Sequence, residues 1–342
     1  MKFLVTGGAG FIGSHIVERL LKEGHFVRVL DNFSSGKREN LVFIRGQSPS
    51  EARGPVPLLQ NFELIEGDIR DKSTCDKSCQ GIDYVLHQAA LRSVPKSVLD
   101  PESYNEVNIC GTLNMLQAAS KNKVKRFVLA SSSSIYGDTT KFPQQETDLP
   151  LLISPYALSK LTGEYYCRIF SKIHGLETAC LRYFNVFGPR QNPESVYSLV
   201  VPIFMDCLLK GRSPEIHWDG KQSRDFNYVD NVVLGNILAA ETPGVSGEVF
   251  NIATQEEYSV LDIFQNLKDI LNVKNIRPVF KPKRAGDVRR TFADISKAVR
   301  LLKFKPQTRF RPGLEKTVKW FLESGLFIPK VKGKRLEAKI KK

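Results

Sequence analysis

The 342-residue sequence predicts an α/β protein, a doubly wound parallel sheet with a smaller C-terminal substrate-binding lobe. Three observations predict it. Short apolar runs alternate with helical periodicity through the first half, which is the pattern of βαβ units. A glycine-rich turn joins the first such run to the first helix. After Arg182 the alternation lapses into loops and short amphipathic helices.

The strands read as Lys2–Thr6, Val27–Asp31, Phe62–Glu66, Tyr84–His87, Arg126–Ser131 and Thr178–Arg182, each a run suited to burial on both faces. Helices read as Ile12–Lys22, Tyr104–Lys121 and Tyr156–His174. Between them, Arg45–Gln60 is rich in Pro, Gly and Ser and reads as a surface excursion. Beyond Arg182, Gly188–Pro193 is a loop, Val201–Lys210 a helix, and Phe226–Ala240 a loop followed by a helix. Glu248–Ile252 is the expected last strand of the main sheet, and Val260–Leu271, Lys297–Leu302 and Pro312–Leu322 are further helices. The expected division is a dinucleotide-binding domain over 1–185 plus about 226–254, and a smaller lobe over 186–225 and 255–329. A basic tail, 330–342, is expected to be disordered and solvated.

The turn Gly7-Gly8-Ala9-Gly10-Phe11-Ile12-Gly13 carries the strongest local signal. Glycines at its first, fourth and seventh positions let the backbone turn sharply and approach a pyrophosphate, while the following helix offers free N–H groups and the positive end of its dipole. Asp31, at the end of the second strand, is placed to accept hydrogen bonds from ribose hydroxyls. Its charge would repel a 2′-phosphate, so the expected cofactor is NAD rather than NADP. This is a Rossmann fold by expectation.

Bulk properties exclude several function classes. The six cysteines are scattered without CxxC spacing, so no metal or redox site is expected and a reduced, cytoplasmic setting fits. The N-terminus leads directly into a strand, and no apolar run approaches the roughly 20 residues of a membrane span, so neither a signal peptide nor membrane association is expected. The net charge of +14 comes partly from the tail. With no zinc-finger spacing or base-stacking motif, nucleic acid is not the expected partner. An anionic substrate such as a nucleotide diphosphate suits the positive charge better.

The chemistry is expected at Tyr156-Ala157-Leu158-Ser159-Lys160, whose i to i+4 spacing puts Tyr156 and Lys160 on one helix face. A tyrosine is a poor base at its ordinary pKa of about 10. A nearby ammonium would stabilise the phenolate and bring that value down. The serine run 131–134 ends the strand above the cofactor, where a hydroxyl could bridge substrate and tyrosine.

Together with Gly67–Asp71, His87–Ala90, Leu181–Pro189 and Arg224–Phe226, these motifs resemble the extended short-chain dehydrogenases/reductases of the NAD-dependent sugar epimerase/dehydratase family, over Met1 to Leu322. The resemblance implies a cofactor site of Gly7, Gly10, Phe11, Ile12, Gly13, Asp31 and Asn32 at the turn. Asp68 and Ile69 would lie at the adenine, Gln88, Ala89 and Asn108 along the cofactor, and Tyr183 and Val186 at the nicotinamide. It assigns Tyr156 as proton acceptor, Lys160 as its activator and Ser132 as the bridging hydroxyl. On the substrate side it implies Ser93, Ser133 and Ser134, Asn185 at the sugar, and Val200 at the uracil. Arg224 and Arg284 would clamp the diphosphate and Asp287 would hold the nucleotide ribose. It also implies a homodimer, paired through the helices Tyr104–Lys121 and Tyr156–His174.

Within the family, dehydratases carry an Asp-Glu pair where this chain has Ser133-Ser134, and decarboxylases tend to carry Glu at the place of Ser134. Epimerisation remains: oxidation at C4 to a 4-keto sugar and return of hydride to the other face, with NAD staying bound. Arg92–Pro95, Arg182–Asn192 and Arg284–Thr291 most resemble UDP-N-acetylglucosamine 4-epimerases. A tyrosine at the place of Thr291 restricts family members to non-acetylated sugars, so the threonine implies that UDP-GlcNAc and UDP-GalNAc are accepted, with UDP-Glc and UDP-Gal alongside. A UDP-glucuronate 4-epimerase is the nearest alternative, ahead of a decarboxylase, a dehydratase or a silent nucleotide-binding protein.

Overall fold

In the computed structural model, residues 1–45, 60–191, 200–283 and 288–324 are described. Arg284, Asp287, most of the 45–60 excursion and the basic tail therefore lie outside the described residues.

The strands are β1 (Lys2–Thr6), β2 (Phe26–Asp31), β3 (Phe62–Glu66), β4 (Tyr84–His87), β5 (Arg126–Ser132), β6 (Glu177–Tyr183) and β7 (Val186–Phe187). Then follow β8 (Glu215–His217), β9 (Ser223–Asp225), β10 (Asn227–Tyr228), β11 (Glu248–Ile252), β12 (Glu257–Ser259), β13 (Val279–Lys281) and β14 (Arg290–Thr291). The helices are α1 (Phe11–Lys22), α2 (Lys72–Cys79), α3 (Val94–Leu99), α4 (Pro101–Tyr104), α5 (Thr112–Lys121) and α6 (Pro155–Ile173). The later ones are α7 (Val200–Leu209), α8 (Val229–Glu241), α9 (Val260–Leu271), α10 (Ser296–Leu302) and α11 (Phe310–Glu323).

The main sheet has seven strands in the order β11-β6-β5-β4-β1-β2-β3, all parallel. The order reverses direction at β1, so a crevice opens at the carboxyl ends of β1 and β4. Alternating residues serve opposite faces. Phe3 and Val5 join a core with Ile16 and Val17 of α1 and Val232 of α8, whereas Leu4 joins Met115 and Leu116 of α5 and Phe170 of α6 on the other side. The smaller sheets, β12-β9-β14, β10-β7 and β13-β8, lie in the second half of the chain. No helix among the described residues is long and apolar enough to cross a membrane.

Two expectations are corrected. The helix expected at Tyr104–Lys121 is interrupted by a π-helical stretch, Asn105–Gly111. That widening accompanies Asn108, whose buried side chain bonds Leu91 N and O at 2.8 and 2.9 Å and Ser159 Oγ at 3.0 Å. The helices α2 and α3 were not expected: α2 is mostly polar, and α3, at six residues, is too short to show a helical period. Both begin with a side-chain cap, Asp71 and Ser93 respectively.

Candidate active site

The site begins at the glycine turn. Gly7 has φ +66°, and a Cβ there would lie 2.8 Å from Ala89 N. At Gly13 a Cβ would lie 2.1 Å from Gly7 O. Both positions are therefore closed to any side chain, and α1 starts at Gly10 without a side-chain cap. Backbone this bare at a helix N-terminus fits a dinucleotide pyrophosphate.

Asp31 is buried, and its carboxylate accepts from Ala9 N at 2.9 Å and Phe33 N at 2.8 Å. It ties the glycine turn to the end of β2, and burial pushes its carboxyl above the ordinary range. Asn32 donates to Asp68 at 2.8 Å. Arg70 holds the Asp68 carboxyl down to about 2 through its side-chain hydrogen bonds, so Asp68 is an anion at neutral pH.

A cavity of about 810 Å³ runs from this turn to the ends of β5 and β6. That lies within the range of about 300–1,000 Å³ usual for cofactor and ligand sites. Its wall takes in Gly7, Gly10, Phe11, Ile12, Gly13, Asp31 and Asn32 at one end. Asp68, Ile69, Gln88, Ala89, Tyr156, Lys160 and Tyr183 complete the sequence-predicted part. Tyr183 Oη donates towards Gln88 Oε1 (3.1 Å) and also sits 2.8 Å from Asn236 Nδ2. Asn108 and Val186 do not line the cavity: Asn108 is buried behind Leu91, and Val186 pairs with Asn227 in the small β10-β7 sheet.

At the other end lie the reactive side chains. Ser154 caps α6 by accepting from Ala157 N at 3.1 Å, which places Tyr156 in the first turn. Ser132, the last residue of β5, accepts from Ser134 N at 3.2 Å, and its hydroxyl acts on the Tyr156 phenol to lower it. Lys160 donates Nζ to Ala130 O at 2.8 Å and lies 6.0 Å from the Tyr156 ring centre. The protein by itself raises the Tyr156 phenol, because desolvation outweighs the Ser132 hydrogen bond and the nearby Arg92 charge. Arg92 lines the same cavity as Tyr156, and its charge pulls the phenol down. In the sequence Arg92 stands only within a resemblance, and no local pattern places it at this cavity. Tyr104 meets Tyr156 edge-on at 6.3 Å and bonds the backbone of Ser93. The Ser93 hydroxyl caps α3 by accepting from Lys96 N.

Burial lowers the Lys160 ammonium to about 8, against a smaller opposing pull from Glu164. This predicts a pH-dependent stability difference. Below about 8 Lys160 is charged in both folded and unfolded chains, so the desolvation cost is fully present. Between about 8 and the unfolded value near 10.5 the folded state sheds its proton first, and the cost fades. The melting temperature of Lys160→Met, relative to the unaltered chain, is therefore expected to be higher at pH 7 than at pH 9.5. A difference that stays constant or grows with pH counts against a charged Lys160 in this setting.

Three of the substrate-side residues, Asn185, Arg224 and Thr291, lie together at β14. Asn185 Nδ2 donates to Thr291 Oγ1 at 3.1 Å, and Thr291 lies in register with Arg224 of β9. The Arg224 guanidinium donates to Ser223 O (2.7 Å) and Val288 O (2.8 Å), holding the segment that leads into β14. Ser133 is half-buried in a 3-10 turn, and Ser134 has a buried Oγ without a hydrogen-bond partner. Val200 is the half-buried first residue of α7. Among the described residues no three His, Cys, Asp or Glu side chains group as metal ligands.

Tyrosine, lysine and serine meet at the carboxyl edge of a dinucleotide-binding sheet, and that defines an extended short-chain dehydrogenase/reductase. Comparison with known proteins narrows the class. The model of the NAD dependent epimerase/dehydratase family matches residues 3–253, and the chain belongs to that family, with NAD as its cofactor. A UDP-N-acetylglucosamine 4-epimerase from Methanobrevibacter ruminantium M1, solved with UDP-N-acetylmuramic acid, is 39% identical with a TM-score of 0.85, over 94% of this chain and 98% of that one. The UDP-glucose 4-epimerase of Thermotoga maritima, solved with UDP-glucose, is 40% identical with a TM-score of 0.86, over 95% and 99%. A UDP-glucuronic acid 4-epimerase from Bacillus cereus, solved with UDP-glucuronic acid and NAD, is 34% identical with a TM-score of 0.84, over 94% and 99%.

Proposed function

We propose that this enzyme is a UDP-sugar 4-epimerase that interconverts UDP-GlcNAc and UDP-GalNAc and also accepts UDP-glucose and UDP-galactose. The observation that supports the substrate reading is the pair Asn185–Thr291: a small, buried residue whose hydroxyl is held by the asparagine. Bound NAD supplies the acceptor that takes hydride from the sugar and returns it to the other face. Tyr156 Oη accepts the C4 hydroxyl proton and keeps it for return, and Ser132 Oγ, at the end of β5, bridges between that phenol and the sugar oxygen. Lys160, anchored on Ala130 O, holds its ammonium on the same helix face. Gly7, Gly10, Phe11, Ile12 and Gly13 take the pyrophosphate, Asp31 the ribose, and Asp68 and Ile69 the adenine. Arg224, Arg284 and Asp287 hold the UDP portion, with Val200 at its base.

A second reading, UDP-glucuronate 4-epimerisation, is favoured by Arg92, a cation lining the same cavity as Tyr156 and suited to receive a carboxylate. Anomeric proton NMR of the protein mixed separately with UDP-GlcNAc, UDP-glucose and UDP-glucuronate tests both. Formation of UDP-GalNAc is the expected result. Reaction of UDP-glucuronate alone replaces the first reading with the second.

We also propose a homodimer in a cytoplasmic setting, where the free cysteines stay reduced. On α6 the exposed residues Leu158, Tyr165, Ile169 and Ile173 form one apolar stripe with helical spacing, available to a second copy. Light scattering is expected to give twice the 38.5 kDa chain mass, and Ile169→Glu to give the single-chain mass. A monomeric unaltered chain overturns this.

A further inference from the structure

Part of the cofactor cavity's wall comes from the far end of the chain. Beside Gly10 and Phe11 of the glycine turn, the wall takes in Arg190 and Gln191, and then Trp320 and Ser324 at the end of α11.

Helix spacing and one pair of short strands bring α11 there. Gly313 lies against β10, where a Cβ would come within 2.8 Å of the Tyr228 ring. Lys316, one turn on, stands 5.3 Å from the centre of that ring. Trp320 follows Gly313 at i+7, two turns along the same face. Tyr228 pairs with Phe187 of β7, and a Cβ at the next residue, Gly188, would lie 3.6 Å from the Phe11 ring. Pro189 and Arg190 are bonded to α1 in turn, through His15 (3.0 Å) and Ser14 (3.4 Å). The face of α11 that holds Trp320 is thus carried by β10 and β7 to the first turns of α1.

Trp320 is half-buried and packed on the main core, with the Phe321 ring edge-on at 4.9 Å. Among the described residues its Nε1–H has no acceptor. A packed indole usually finds a partner for its single donor, and it offers a broad apolar face besides. A pyrophosphate at the glycine turn would be a charged acceptor with no donor of its own, which is the complement of that indole.

Resting on the reading that the glycine turn seats the NAD pyrophosphate, we propose that Trp320 retains the cofactor: its indole covers the pyrophosphate side of the cavity and donates Nε1–H to a phosphate oxygen. A 4-epimerase has a use for such a residue. The hydride taken from the sugar must go back to it, so the reduced cofactor has to stay in place between the two transfers.

The test is the rate at which NADH leaves the NADH-loaded full chain when excess NAD is added, followed as the loss of bound-NADH fluorescence. Trp320→Ala is expected to release NADH at least about tenfold faster than the unaltered chain. Trp320→Phe, which keeps a ring and loses the N–H, is expected to fall between the two. Leu314→Ala is the control. Leu314 is fully buried in α11 and outside the cavity wall, so its truncation should lower the melting temperature and leave release within about twofold. Release at the unaltered rate from Trp320→Ala overturns the proposal. Release at that rate from Trp320→Phe does so too, whether or not Trp320→Ala folds. Equal acceleration by Leu314→Ala also overturns it, because the packing of α11 would then be the cause. An unaltered chain that binds no NADH overturns the seating of the dinucleotide as well.

Discussion

Tyr156→Phe is expected to abolish turnover on every UDP-sugar while the chain remains folded and keeps its NAD. Phenylalanine retains the ring that packs edge-on against Tyr104 and removes only the phenol oxygen. Losing a positioned general base typically costs about 10²–10⁴ in rate. At about 1.4 kcal/mol per decade that is about 3–5.5 kcal/mol on the barrier. The stability change should be small, about 1 kcal/mol or less, since a single hydroxyl is removed and the ring is kept. The measurements are initial rates by anomeric proton NMR, bound NAD by absorbance after denaturation, and melting temperature. A variant that keeps a tenth of the activity would remove Tyr156 from the proton-transfer role. Loss of NAD together with activity would mean that the oxygen serves binding instead.

Thr291→Tyr is expected to separate the substrates: UDP-GlcNAc activity lost by about 100-fold or more, UDP-glucose activity retained within several-fold. Thr291 is 8% exposed and its hydroxyl is occupied by Asn185, and in the proposed reading a phenol ring there takes the room of the acetyl group. Overpacking a buried site also costs about 1–3 kcal/mol of stability, which a melting curve will register. Thr291→Ala is the control. It breaks the Asn185 bond but leaves the room, so acetylated sugars should still react. Parallel loss on both sugars in Thr291→Tyr would show a general collapse of the site and refute the size argument.

Most of the cofactor half was legible in advance for a physical reason: it is built from local rules. Gly7 and Gly13 are demanded by backbone contacts within a dozen residues or by one neighbouring strand, and the strand runs carry their burial in their composition. Where local signals are weak, the sequence misled. The run Tyr104–Lys121 has helical periodicity, and nothing in it announces the π-helical stretch that accompanies the bonding of Asn108 to Leu91. The i to i+4 spacing of Tyr156 and Lys160 was real, but spacing on a helix does not say which carbonyl will capture the lysine; Ala130, thirty residues earlier, does so.

By itself, then, the sequence determined the sheet, the glycine turn with its acidic partner Asp31, and the identities of Tyr156, Lys160 and Ser132. Each of these is written in neighbouring residues through hydrophobic period, backbone freedom or helix spacing. Only the tertiary structure decided that Arg92 lines the same cavity as Tyr156, that Ala130 O captures Lys160, and that Asn185 holds Thr291 across 106 positions. Such pairings depend on how strands far apart in the chain come into register, and register is set by packing of the whole fold rather than by any local pattern.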